Sequence, residues 1–181
     1  MKGRIVILSG PSGVGKDTVI DRWREIDHRV HRVVAFTTRE PRPADRNGFE
    51  YHFVTATTFH MMAAAGNFLE WKEVHGNFYA TPLREMEKIL EADCVAVLKI
   101  DVQGAMEAMV KRPEAISIML LPPSWEELER RIRARGTDSL ATIEKRLQNA
   151  REEIAQADKY QHQVVNDDLE RCVAEIVEIV G

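Results

Sequence analysis

The chain has 181 residues, of which 44% are hydrophobic and 30% charged, with a formal net charge of -4. That length holds one domain with a sizeable core and excludes two full enzyme domains, while the composition excludes a disordered or fibrous chain and no apolar run approaches bilayer length. The acidic balance excludes a general binder of nucleic acid or anionic membrane, and two cysteines, Cys94 and Cys172, form neither a disulfide framework nor a metal site, which points to a reducing cytoplasm.

The N-terminus is basic at Lys2 and Arg4, but the apolar stretch behind it is short and opens a strand, not a signal peptide. Apolar runs suited to buried strands recur at Arg4–Ser9, Arg32–Phe36, Cys94–Ile100, Ala115–Leu121 and Gln163–Asn166, with helical patterns between several of them. The alternation predicts an α/β fold with a parallel sheet flanked by helices. Between Arg39 and Thr81 the texture changes to short aromatic segments, Tyr51–Val54, Phe68–Val74 and Phe78–Thr81, punctuated by Pro and Gly. These predict an inserted lobe of short strands. Helical patterns at Ser124–Arg135 and on to about Ala157, joined by the polar turn Gly136-Thr137-Asp138-Ser139, predict two helices able to move as a lid. The expected division is a core of residues 1–36, 82–122 and 158–181, a lobe of 37–81 and a lid of 123–157.

Gly10-Pro11-Ser12-Gly13-Val14-Gly15-Lys16 follows the first strand and opens the helix Asp17–Glu25, the context a phosphate-binding loop requires. Glycines let successive backbone N–H groups point at phosphate oxygens, the helix N-terminus adds its positive dipole end, and Lys16 adds a point charge. The expected ligand is a nucleoside triphosphate. The residue after Lys16 should be Ser or Thr, whose hydroxyl holds Mg²⁺, yet Asp17 stands there with Thr18 beside it. A carboxylate beside a triphosphate requires a cation between them; without ligand it is a favourable first-turn acid.

Beyond this loop the chain resembles a guanylate kinase from end to end. The resemblance rests on Gly10–Lys16, Thr37-Thr38-Arg39-Glu40-Pro41-Arg42, Asn47-Gly48 with Tyr51, Glu70-Trp71, Gly76-Asn77-Phe78-Tyr79, Asp101-Val102-Gln103-Gly104, Arg135-Gly136-Thr137-Asp138 and Val165-Asn166-Asp167-Asp168. It implies transfer of a phosphoryl group from Mg²⁺-ATP to GMP in purine nucleotide metabolism, on a P-loop kinase core with a GMP-binding lobe and a lid. It also implies ATP and GMP as the partners, with no nucleic acid and no membrane.

The residues at these positions have suitable chemistry. Forked guanidinium groups at Arg39 and Arg42, with the hydroxyls of Tyr51 and Tyr79, suit the phosphate of GMP. Guanine offers N1–H and a 2-amino group as donors and O6 as acceptor, so Glu70 and Asp101 fit as acceptors and Thr81 as a donor to O6. In the lid, Arg131 and Arg135 share a helix face at i,i+4 and Arg146 lies on the next helix, a pattern that by itself suits a charged face; the resemblance separates these three, which would neutralise the transferring phosphoryl group, from Arg130 and Arg133. The catalytic set is thus Lys16, Arg39, Arg131, Arg135 and Arg146. The ATP-binding set is the loop from Gly10 to Lys16 with Asp17, Thr18 and Asn166, although Asn166 equally suits a turn.

Three positions depart from the family pattern. Ala35 replaces a serine that contacts the base. Lys99 replaces an acid near the metal, and Asp17, the candidate Mg²⁺ ligand, replaces the loop hydroxyl. Alternation along Cys94–Ile100 puts Val95, Val97, Lys99 and Asp101 on one face. Asp17 and Lys99 are therefore expected as an exchanged pair, against the alternative of a lysine snorkelling from the strand end. Asp17 alone would favour the related ribose 1,5-bisphosphate phosphokinases, and a guanylate kinase-like scaffold domain without catalysis is a third reading. The six histidines show no metal-ligand spacing.

Overall fold

The computed structural model describes residues 3–74, 76–134 and 139–181; Met1, Lys2, His75 and residues 135–138, with the expected lid arginine Arg135, lie outside them. Five parallel strands form the first sheet, in the order β2 (Val30–Arg32), β7 (Val95–Lys99), β1 (Arg4–Ser9), β8 (Ile116–Leu121), β9 (His162–Val165). Because side chains alternate along a strand, β1 sends Val6 and Leu8 to one face and Ile5 and Ile7 to the other, and all are buried. Val6 and Leu8 pack with Val19, Ile20 and Trp23 of α1 (Lys16–Ile26) and with Val173 and Ile176 of α7 (Leu169–Val180). Ile5 and Ile7 pack with Met86 of α3 (Leu83–Glu91) and with Ala105 and Ala108 of α4 (Val102–Lys111). Ligands of such sheets bind beyond the carboxyl ends of the strands, where β1 and β7 end.

A second sheet has the order β4 (His52–Phe53), β3 (Phe36–Thr37), β6 (Asn77–Pro82), β5 (Phe68–Val74). Its core is aromatic: Phe59 of α2 (Ala56–Ala64) is buried with Phe68, and Phe36 and Phe78 pack against them. The strand expected at Arg32–Phe36 is divided between the sheets. Val30 and Val33 are buried in the first core, Phe36 packs in the second, and the segment between is the crossing, anchored where the Val34 N–H donates to Glu85 at 2.8 Å. An apolar run is legible in sequence; the change of partner halfway along it is not.

The helices α5 (Trp125–Arg133) and α6 (Leu140–Ile154) bury Leu128, Ile132, Ile143 and Ala150 in a cluster of their own. Each is capped by a serine, Ser124 accepting from the Glu127 N–H and Ser139 from the Thr142 N–H. Among the described residues no helix is long and apolar enough to cross a membrane.

Candidate active site

The loop between β1 and α1 is braced from the far side of the sheet. Gly15 takes φ +100°, and a Cβ there would stand 2.6 Å from Asn166 Nδ2, so glycine is required for both conformation and space. Asn166, just past β9, donates from Nδ2 to the Val14 carbonyl at 2.8 Å and from its backbone to Leu121 at 2.8 Å. It therefore shapes the loop. Lys16 folds back so that Nζ donates to the carbonyls of Gly10 and Pro11. Enclosure lowers its ammonium to about 8, against the opposing pull of Glu153.

Asp17 and Lys99 meet. Lys99 Nζ donates to Asp17 Oδ1 at 2.7 Å, and Arg32 at the end of β2 reaches the same oxygen at 2.9 Å while Nη2 donates to the Glu50 carbonyl at 3.2 Å. Burial works against the Asp17 charge, but Lys99 and Arg32 more than offset it and hold the carboxyl below its usual range. The sequence did not single out Arg32; it comes one strand over from Lys99, because β2 pairs with β7.

On the second sheet, Glu70 and Thr81 are cross-strand partners on β5 and β6. Glu70 is 4% exposed, and Thr81 Oγ1 donates to its Oε1 at 2.6 Å. Burial, aided by the charges of Asp101 and Glu107, raises the Glu70 carboxyl to about 7, although the Thr81 bond pulls the other way. The second oxygen lies over α4: a Cβ on Gly104 would stand 2.6 Å from Glu70 Oε2, so this glycine makes room for the acid. Asp101 lies beyond β7 and caps α4, with Oδ1 accepting from the Gly104 N–H at 2.8 Å. Thr81 has one hydroxyl proton and gives it to Glu70, so the expected donation to guanine O6 requires that proton to turn away. Ala35 lines the cavity without a hydroxyl.

The expected phosphate clamp is partly assembled. Tyr51 and Tyr79 meet edge to face at 5.7 Å, and the Arg39 guanidinium lies 5.5 Å from the ring centroids of Tyr51 and Phe53. Asp45 holds it there, accepting from Arg39 Nη2 at 2.8 Å and from the Arg42 backbone N–H at 2.7 Å. Asp45 is a functional candidate that sequence reasoning missed; its only signal is an acid in the Pro-bearing turn behind Arg42.

On α5, Arg130 and Arg133 bond to Glu127 and Glu129 of the same helix, as a charged face should. Arg131 also bonds Glu127, at 2.8 Å, but its other nitrogens reach the carbonyls of Val14 at 3.4 Å and Asn166 at 3.3 Å. Arg130 and Arg131 together pull the Glu127 carboxyl down to about 2. Arg146 is half-buried on α6. Glu153, at the end of α6, lines the cavity with Lys16, and its burial raises its carboxyl although Lys16 opposes this. The sequence offered no signal for Glu153, because it is one of two adjacent acids in a charged helix.

One cavity of about 440 Å³ is lined by Gly10, Ser12, Gly13, Gly15, Lys16, Asp17, Thr18, Tyr51, Glu70, Tyr79, Lys99, Asp101 and Glu153. The fold thus brings the phosphate loop and the acids Glu70, Asp101 and Glu153 into one space; Arg39, Arg42, Arg131 and Arg146 stand outside its lining. Among the described residues no cluster of His, Cys, Asp and Glu could hold a metal alone. The guanylate kinase family model matches residues 2–181. Guanylate kinases of Aromatoleum aromaticum and Rubrobacter xylanophilus are 42% and 41% identical to the chain, each over 99% of its length and over 88% and 94% of their own. A crystal structure of guanylate kinase from Anaplasma phagocytophilum superposes with a TM-score of 0.81 at 33% identity, covering 99% of this chain and 85% of that one. With the loop, the acids beside it and these likenesses together, the chain belongs to the guanylate kinase family.

Proposed function

We propose that the chain phosphorylates GMP with Mg²⁺-ATP, giving GDP and ADP, and that the residues around its cavity divide the work. The observation that carries this reading is Glu70, a buried acid paired with Thr81 in the same cavity as Lys16. The loop from Gly10 to Lys16, through the N–H groups of its residues other than Pro11 and with Thr18, holds the ATP phosphates at the N-terminus of α1, and Asn166 keeps the loop in shape. Glu70 and Asp101 accept from guanine N1–H and the 2-amino group. Adenine, whose edge is reversed, would leave these acids unpaired, at a cost of about 1–3 kcal/mol each or more when charged. Arg39, Arg42, Tyr51 and Tyr79 grip the GMP phosphate, and Arg39 must exchange Asp45 for it.

Asp17 suits a metal carried in by ATP. One oxygen takes both Lys99 and Arg32, and the side chain, 59% exposed, keeps the other for Mg²⁺ or its waters. One protein carboxylate with phosphate oxygens is the donor set Mg²⁺ prefers. Bound there, the ion would neutralise phosphate charge. Arg131, Arg135 and Arg146 act on the transferring phosphoryl group, whose loose transition state calls for positioning and charge neutralisation more than covalent chemistry. The separate aromatic core of residues 37–81 and the separate cluster of the lid support both closing as units over the bound nucleotides.

Turnover with ATP measured against GMP, dGMP, AMP and ribose 1,5-bisphosphate tests the reading. GMP is the expected acceptor. Turnover of the sugar phosphate without GMP would overturn the choice, and turnover of none would leave a binding domain. The pH profile follows from two groups of the free enzyme. The ionised form of Glu70 accepts from guanine, so kcat/KM for GMP falls about tenfold per pH unit below about 7. Loss of the Lys16 charge lowers kcat/KM for ATP above about 8. A flat profile for GMP between pH 5.5 and 7 would remove Glu70 from base recognition.

A further inference from the structure

Lys99 occupies the gap between the two halves of the cavity. It is the last residue of β7, in register with Leu8 of β1, and so leaves the sheet beside the start of the phosphate loop. Its side chain is 17% exposed. Nζ stands 2.7 Å from Asp17 Oδ1 on the loop side and 5.9 Å from the Tyr51 ring centroid on the acceptor side. Arg32 takes the same Asp17 oxygen and ties it to the lobe through the Glu50 carbonyl, next to Tyr51. Two cations therefore share one carboxylate oxygen in a confined space. One anion does not satisfy both, and the arrangement is left able to receive another.

We propose that Lys99 is a phosphoryl-binding cation of this enzyme, stationed by Asp17 between donor and acceptor phosphates. Asp17 is then the positioning residue and Lys99 the group that touches substrate. The ammonium contacts the phosphoryl oxygens as they pass from the loop side to the Tyr51 side, so its contribution is larger for the group in transit than for either nucleotide alone. A snorkelling lysine would be exposed, and one serving only to neutralise Asp17 would be redundant beside Arg32. This inference rests on the kinase reading above and adds a residue to it.

The test compares Lys99→Met, Lys99→Arg, Asp17→Asn and the double variant Asp17→Asn/Lys99→Met. Two readouts are needed: steady-state kcat and KM with ATP and GMP, and calorimetric affinity for a bisubstrate analogue with adenosine and guanosine joined through five phosphates, titrated with EDTA present. For Lys99→Met the expected result is a kcat lower by about 100-fold with KM for each nucleotide within about threefold, and analogue affinity at least about tenfold weaker while GMP affinity holds. Lys99→Arg recovers most of both. In the double variant, whose amide oxygen can still accept from Arg32, analogue affinity stays as weak as in Lys99→Met, and this readout carries the test if the single variant does not fold. Recovery of analogue affinity in the double variant, measured with EDTA present, would overturn the proposal, because Lys99 would then only neutralise Asp17. Parental kcat in Lys99→Met would overturn it as well. Failure of the parent enzyme to phosphorylate GMP would instead overturn the kinase reading on which it rests, so the two failures are distinguishable.

Discussion

Substituting Lys16 by methionine lowers kcat/KM with ATP and GMP by about three orders of magnitude, as expected when a preorganised charge is removed from a developing phosphoryl transition state. The loop keeps its amides and the helix N-terminus, so nucleotide binding persists in weakened form while turnover collapses. Stability moves the other way. Enclosure already lowers the Lys16 ammonium to about 8, which means the folded chain holds that proton less well than the unfolded one. Such a group costs stability at pH below its folded value, and methionine removes the cost. The thermal midpoint at pH 7 is therefore expected at or above that of the parent. A variant within tenfold of parental activity would show that the loop amides alone carry the phosphates.

Glu70→Gln has the second largest effect. An amide can accept one guanine donor but turns its own N–H₂ toward the other, so kcat/KM for GMP falls by about 100- to 1,000-fold with KM for ATP little changed. The acid limb of the pH profile disappears with it. The sign for stability follows from the raised carboxyl: the folded chain binds this proton more tightly, so the group's contribution is fully present below about 4.5 and is lost as pH rises through about 7. Glutamine has no such loss. At pH 8 the variant unfolds at the parental temperature or higher, which separates lost recognition from lost structure. Denaturation monitored at pH 5 and pH 8 checks this, and a variant destabilised more at pH 8 than at pH 5 would contradict it.

Much of the core was legible because its signals are local. β1, β8 and the loop between Gly10 and Lys16 are set by contiguous apolar residues and by glycine spacing, and β5 was bounded correctly by the aromatic run Phe68–Val74. The division of Arg32–Phe36 was not legible, since Val33 to Ala35 carry the same apolar character on both sides of the crossing. In the site, the Asp17–Lys99 contact could be anticipated from two misplaced charges, but its third member could not. Arg32 joins them only because β2 lies beside β7, a neighbour relation fixed by sheet order. Asp45 and Glu153 were hidden for a similar reason: each is an ordinary acid in an acidic chain until tertiary packing sets it against Arg39 or Lys16. Arg131, already set apart from Arg130 by the resemblance, differs from it in the structure by its reach to Val14 and Asn166.

The contact between Asn166 and the Val14 carbonyl also orders events in time. The phosphate loop leaves the ribosome well before the side chain that braces it, which follows 152 residues later, after β9. β1 is central and both of its neighbours, β7 and β8, come from the second half of the chain, so the loop's own strand has no partner until most of the protein exists. A partly made chain carries the nucleotide-binding sequence without the nucleotide-binding shape, and the shape of the loop waits for the segment beyond β9.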